Sequence, residues 1–447
     1  MENNSYLKEF FKYTFANILG TVAISCYVLA DTFFIARGTG SNGLAALNIS
    51  IPVFNIINGT GLMLGIGSGA KYSVNSGSAN QNEKNRIFTN ALYLGAIFSA
   101  VYMLIGIFLS GWLAEVLGAQ GEVYDMANIY IKVIMIFAPA FIFNNIFVAF
   151  VRNDMSPRLA MVGMITGSLS NIVLDYIFIF PFKMGILGAV LATAVAPVIS
   201  MLIMSAHKIK GKNNFHLTKM MPDLKLSAKC CALGFPSLVT ELSSGIVILV
   251  FNIIILRISG NIGVAAYGIV SNISIVVIAV FTGIAQGMQP LVSMAHGRKD
   301  FAAELKLFKY AICCAVLLFV VIYPVVYFFA DPIALAFNSE GSEQLQSIAV
   351  TGLKIYFTGM LFAGINIVTS MFFTSAERAL PAHIITLMRG LFVIIPAAFL
   401  LSSLLELTGV WLSFTATETI VFIVSVSAIV IFRAKHKKRL ERKNKDY

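Results

Sequence analysis

An all-α polytopic membrane protein is the fold class the sequence predicts, with twelve transmembrane helices in two six-helix lobes related by a parallel pseudo-two-fold repeat. Three observations predict it. Hydrophobic residues make up 58% of the 447 and charged residues 12%, with a mean hydropathy of +0.84; soluble domains run near 45–50% apolar and about 25% charged. Apolar stretches of about 20 residues, each able to cross a hydrocarbon layer of about 30 Å as a helix, recur from end to end. The second half of the chain also repeats the pattern of the first. Together they exclude a soluble enzyme.

The spans fall at 15–35, 49–70, 91–113, 129–150, 159–180, 185–206, 230–256, 264–291, 311–330, 350–373, 382–405 and 410–432. Their length and lack of strict alternation predict helices rather than the shorter strands of a barrel. The polar start, MENNSYLKEFFKY, runs into the first span without a small-residue cleavage site, so that span is expected to be retained. Basic residues orient the rest. Of the 32 Lys and Arg, 26 lie in the N-terminal segment, every second loop and the tail, while the opposite loops hold Arg37, Lys183 and Arg257. Lys132, Lys354 and Arg389 fall within spans. Because Lys and Arg near span ends stay on the cytoplasmic side, a multi-pass protein of the cytoplasmic (inner) membrane is expected, with both termini in the cytoplasm.

The net charge of +11 is thereby a matter of topology and attraction to anionic membrane lipid, and no nucleic-acid partner is expected. Cys26, Cys230, Cys231, Cys313 and Cys314 show no metal-site spacing and read as small apolar fillers. The five His residues are scattered, and no metal centre or cofactor is expected.

A shift of 220 residues aligns Arg37, Gly40, Gly43, Ala45, Ala46, Ile49, Gly67, Ser73 and Gly77 with identical residues at 257–297. A shift of 224 aligns Pro157 with Pro381, Gly185 with Gly409, and Ala192-Thr193 with Ala416-Thr417. The chain thus divides into an N-terminal six-helix lobe (1–206), a basic cytoplasmic linker (207–229), a C-terminal six-helix lobe (230–432) and a basic cytoplasmic tail (433–447). Six spans per half start both halves on the same side, which makes the repeat parallel and suits alternating access around a central site. Glycines such as those of GTGLMLGIGSG lie inside an apolar span and read as helix-packing positions rather than a nucleotide loop.

Ionisable side chains within hydrocarbon cost about 2.5–3.5 kcal/mol each on insertion scales, so Asp31, Asp175, Glu241 and Glu418 are the candidates for function. The repeat sharpens the choice. Asp31 falls opposite Phe251 and Asp175 opposite Phe399, so neither carboxylate belongs to the shared scaffold. Asn171 and Asp175, four apart, share a helix face, and Thr193 of the sixth span adds a hydroxyl. The set is all oxygen, suited to a monovalent cation such as Na+, and equally to a proton, since burial and like charge both favour the protonated acid. Glu241 lies within the seventh span, where cation or substrate contact and buried hydrogen bonding are both open; Glu418 is a further possible contact. Met and Phe in quantity offer an adaptable apolar wall.

The segments LADTFFIARGTGSNGLAALNIS, FVRNDMSPRLAM, NIVLDYIFIF and GILGAVLAT resemble the multidrug and toxic compound extrusion (MATE) family, across essentially the whole chain. The resemblance, to the DinF-like branch and its MepA-type subgroup, implies two six-helix lobes and efflux driven by inward movement of protons or sodium ions. It also implies that Asp31, Asn171, Asp175 and Thr193 form a cation or proton site. Glu241 matches the acidic position of the seventh helix in NorM-type relatives, whose acidic partner in the tenth helix has no equivalent within 350–373.

The expectation is therefore a secondary antiporter, monomeric, needing no cofactor, that exports cationic amphiphilic drugs or dyes in exchange for H+ or Na+. Two rivals differ in chemistry. A lipid-linked oligosaccharide flippase would need a cationic cleft, for which only Arg389, Lys354 and Lys132 are available. A membrane-embedded enzyme would need a nucleophile and base or a metal cluster, and HExxH, GxSxG and grouped His are all missing.

Overall fold

The computed structural model describes residues 3–77, 80–338 and 341–443; the last four residues of the basic tail lie outside them. Eight helices among these, or nine if a bent pair is one span, are long and apolar enough to cross a membrane. The chain is a multi-pass membrane protein. Three of the helices are broken once, and divided at the breaks they give the expected twelve crossings. α1 (Asn3–Gly77) breaks at Gly40 and α8 (Leu224–Gly297) at Gly260. The two glycines, aligned by the repeat, take almost the same conformation, φ 71° and ψ −163° against φ 61° and ψ −158°. That region of backbone space is essentially restricted to glycine.

The remaining helices are α2 (Gln81–Val116), α3 (Glu122–Ile136), α4 (Ala138–Asn153), α5 (Pro157–Ile179), α6 (Gly185–Met204), the short turn α7 (Ala206–Ile209), α9 (Phe301–Phe328), α10 (Ala330–Phe337), α11 (Glu343–Tyr356), α12 (Met360–Ser375), α13 (Ala379–Leu387) and α14 (Ile394–Lys443), the last broken at Glu406. One expectation needs correcting. The fourth span is not a single helix but α3 and α4, bent by 48° about Phe137. Pro139, in the first turn of α4, has no amide hydrogen with which to continue the hydrogen-bond ladder of α3.

α2 shows the logic of a helix in lipid. Its buried face carries Ala91, Gly95, Ser99, Gly106, Ser110 and Ala114, while Ile97, Val101, Leu104, Phe108 and Trp112 at helical spacing are exposed. Small residues inside and large apolar ones outside invert the pattern of a soluble helix and permit close helix packing. The cysteines divide likewise: Cys230 is buried, but Cys26 and Cys313 are exposed rather than fillers of the interior.

Two compact units result. The first is Met1–Ile246, Ala279–Ala311 and Thr374–Arg378; the second is Val247–Ile278, Ile312–Phe373 and Ala379–Tyr447. Within the first unit the latter part of α1 lies directly on both ends of α8. A Cβ at Gly67 would strike the Cys230 carbonyl, one at Gly234 the Met63 carbonyl, and one at Gly297 the Val74 carbonyl. Lys71 meets Glu377 at 2.7 Å. Arg152, which sequence alone placed in a basic loop, is instead 2% exposed and donates to Asn17 Oδ1 (3.0 Å) and Gln286 Oε1 (2.6 Å). Asn153 beside it accepts from Ser73 and exchanges hydrogen bonds with Gln289.

The linker is held to the first unit along its length. Asp154, just past α4, accepts hydrogen bonds from Tyr72 (2.7 Å), His207 Nε2 (2.8 Å), and the backbone (2.7 Å) and side chain (3.0 Å) of Asn214. Burial pushes the Asp154 carboxyl up, and the hydrogen bonds from His207, the Asn214 amide, Tyr72 and the Asn214 side chain more than reverse this, leaving it below the ordinary carboxylate range. Further on, Asn85, Thr89 and Asn90 of α2 accept from the backbone N–H groups of His216, Thr218 and Asp223. Asp223 then caps α8 by accepting from Lys225 and Leu226.

Candidate functional site

Asp31 stands in the first segment of α1 and Asp175 in α5, at 7% and 0% exposure. Their carboxyl groups face each other within hydrogen-bond reach. Ionised carboxylates offer acceptors only, so such a contact requires a shared proton or a cation between them. Among the described residues Asp31 Oδ1 and Asp175 Oδ1, both buried, have no hydrogen-bond partner, which leaves one lone-pair-bearing oxygen on each side for an incoming positive charge.

The supporting residues converge on the same point. Asn171, one turn before Asp175 and fully buried, is oriented by its surroundings: with Nδ2 toward the acid it donates to Asp175 Oδ2 (3.1 Å) and accepts from the Thr193 amide (3.2 Å). Thr193 Oγ1, 5% exposed in α6, donates to the Ala189 carbonyl one turn back (3.1 Å). The structure thus brings together the four residues expected from the sequence. Their donor set is oxygen throughout, the chemistry of a proton or a hard cation. Among the described residues no group of three or more His, Cys, Asp or Glu could hold a metal ion.

Two tyrosines stand beside these four residues. Tyr27, one turn before Asp31, lies close enough to feel Asp31, Asp175 and Glu241. Tyr130 of α3, 3% exposed, sits beside Asp31 and within hydrogen-bond reach of Thr193. The four-residue spacing from Asp31 was a usable signal for Tyr27. Tyr130 carries none, because an aromatic residue in an apolar span is ordinary.

Glu241 is half-buried and accepts from Asn58 Nδ2 at 3.3 Å, while Asn58 Oδ1 accepts from Asn145 at 2.9 Å. The chain of amides links α8, α1 and α4 inside the first unit and, among the described residues, holds Glu241 by a single neutral hydrogen bond. Glu418 differs. In the second unit it is 2% exposed and receives Arg389 Nε at 2.7 and 2.9 Å and Asn366 Nδ2 at 2.8 Å, with Ser425 bracing Asn366. Its charge is already matched. Arg389 reaches it from a π-helical turn, Met388–Phe392, between α13 and α14, a local widening that sequence does not announce.

A family model described as MatE matches residues 17–177 and 236–400. The chain is 26% identical over 434 residues to the multidrug export protein MepA of Staphylococcus saprophyticus, covering 97% of this chain and 95% of that one. It is 25% identical over 437 residues to MepA of Staphylococcus aureus, with the same shares. Among solved structures, an outward-facing multidrug resistance MATE family transporter of the MOP superfamily superposes with a TM-score of 0.91 at 24% identity, over 96% of both chains. A MOP superfamily transporter from Pyrococcus furiosus, described as having a binding pocket of reverse polarity, gives 0.87 at 24% identity over 94% of both.

Proposed function

The chain belongs to the MatE family of multidrug and toxic compound extrusion transporters, and from that premise we propose that it is a secondary antiporter exporting cationic amphiphilic compounds in exchange for H+ or Na+. The observation that carries this is the facing pair Asp31 and Asp175, buried with one unpartnered oxygen each. Two carboxylates so close repel unless a positive charge sits between them. Taking up that charge on one side of the membrane and releasing it on the other gives the pair two states of different electrostatic energy, which is what a coupled conformational change requires. One elementary charge moving down 100 mV supplies about 2.3 kcal/mol.

The conformational half of the cycle is alternating access. The ends of α1 and α8 that meet at Gly67, Gly234 and Gly297 adjoin the basic loops, which the positive-inside rule assigns to the cytoplasm together with both termini. The contacts in the first unit then form the closed cytoplasmic barrier, and opening it means separating Lys71 from Glu377 and Asn153 from Gln289. Glu241, singly bonded to Asn58, is the proposed contact for the cationic centre of a substrate. Glu418 is reassigned from that role to structure, since Arg389 neutralises it. The same pairing removes Arg389 as a receptor for a pyrophosphate, which counts against a flippase of lipid-linked oligosaccharides. The protein is proposed to act as a monomer in the cytoplasmic membrane.

Proteoliposomes loaded with a fluorescent cation test the coupling. Asp31→Asn and Asp175→Asn are each expected to abolish gradient-driven transport without unfolding the protein, and full transport by both would overturn the assignment. Varying only the sodium or only the pH gradient at fixed potential identifies the ion.

A further inference from the structure

The start of α1, the turn between α4 and α5, and the beginning of the linker enclose a cavity of about 230 Å³ in the first unit. Four cationic side chains line it: Lys12 from α1, Arg158 from the first turn of α5, and Lys210 and Lys212 from the linker. Lys12 meets Glu9 at 3.3 Å; among the described residues no ion pair engages the other three. The other carboxylate near this wall is Asp154, and its oxygens are already occupied by four donors from Tyr72, His207 and Asn214.

Two further features bear on the chemistry of the ligand. His207 forms part of the wall at 2% exposure; its Nε2 is engaged by Asp154, and its Nδ1 is buried with no partner among the described residues. α5, a helix of 23 residues, begins at the same wall, and Ser156 before it makes no side-chain cap. The positive end of the helix therefore faces the cavity without a side-chain cap. The rest of the wall includes Met155, Pro157 and Leu159, an apolar surface that a small free ion would leave uncovered.

We propose that this cavity is a binding site for an anionic phospholipid. The phosphodiester oxygens are held by Arg158, Lys210 and Lys212, a polar headgroup atom meets His207 Nδ1, and the glycerol backbone lies against Met155 and Leu159. Basic pockets at helix ends are where acidic headgroups settle, and here the headgroup joins α1, the α4–α5 turn and the linker through one ligand.

The test is native mass spectrometry of the full chain in detergent, titrated with palmitoyl-oleoyl phosphatidylglycerol, the matching phosphatidylcholine, or inorganic phosphate. One phosphatidylglycerol is expected to bind in preference to the other two. The double variant Arg158→Gln/Lys212→Gln is expected to weaken it about 30-fold, the effect of two basic groups at an anionic surface. Lys208→Gln/Lys219→Gln removes the same charge from the linker but outside the cavity, and is expected to leave binding unchanged. Should the first variant fail to fold, Lys210→Gln alone is expected to weaken binding about fivefold. Equal loss in both double variants would reduce the site to diffuse electrostatics and overturn it, as would equal binding of phosphatidylcholine. Equally tight binding of phosphate alone would overturn the lipid assignment.

Discussion

Arg389 grips Glu418 through one nitrogen, Nε, at 2.7 and 2.9 Å from the two carboxylate oxygens, with 14% and 3% of the side chains exposed. Breaking a buried pair from one side strands a charge, at a cost of about 3–5 kcal/mol. Glu418→Gln and Arg389→Gln should each lower the unfolding midpoint sharply, whereas Arg389→Met/Glu418→Leu should recover much of the loss. If the double variant is stable and still transports with the ion gradient, Glu418 is structural. Loss of coupling in a stable double variant would restore it to the mechanism.

Gly40 and Gly260 isolate a backbone effect. A Cβ at either would meet nothing within 4 Å, so Gly40→Ala and Gly260→Ala should each cost about 1–3 kcal/mol purely from the left-handed φ. Gly268 offers the control: it too has open space, but helical φ/ψ, and Gly268→Ala should be neutral or stabilising by about 0.4–1 kcal/mol. Chemical denaturation of the three variants makes the comparison.

At Gly67 a different constraint applies, since a side chain would strike the Cys230 carbonyl and the Gly234 amide. Gly67→Leu should hold the latter part of α1 off α8 and expose Cys230, which is 0% exposed. In a background with the other four cysteines changed to Ser, maleimide labelling of Cys230 should rise from near zero while transport fails. Unlabelled Cys230 with normal transport would show that this contact is not a moving barrier.

Asp154 gives the expected pH dependence. Its folded-state pKa is lowered, so its contribution is complete above the unfolded value of about 3.9 and disappears as pH falls through the lower, folded value. Stability measured in detergent should therefore drop below about pH 4, and Asp154→Asn should be less stable at pH 7 but flatter in acid. Parallel curves for the two proteins would remove Asp154 as a cause.

Sequence carries the spans well because lipid demands long apolar helices, and it brings Asp31, Asn171, Asp175 and Thr193 forward as candidates because polar side chains stand out against such a background. It does not carry partners. The acceptor for Arg152, Gln286, is 134 residues away, and the donor for Glu241, Asn58, is 183 away; nothing local distinguishes a satisfied buried charge from a functional one. The bend at Phe137 is hidden for a similar reason. Pro139 precedes a new helix, but Pro52 and Pro197 lie inside helices that run through them, because neighbouring groups decide whether a proline breaks its helix.

The linker's attachment to α2 relocates the joint between the repeats. With His216, Thr218 and Asp223 tethered by their amides to Asn85, Thr89 and Asn90, the connecting peptide is effectively part of the first repeat until α8 begins. Split-gene experiments should respect that seam: fragments divided at Gly211 would leave this strap on the polypeptide that carries α8, while division just before Asp223 keeps His216 and Thr218 with the α2 residues that hold them.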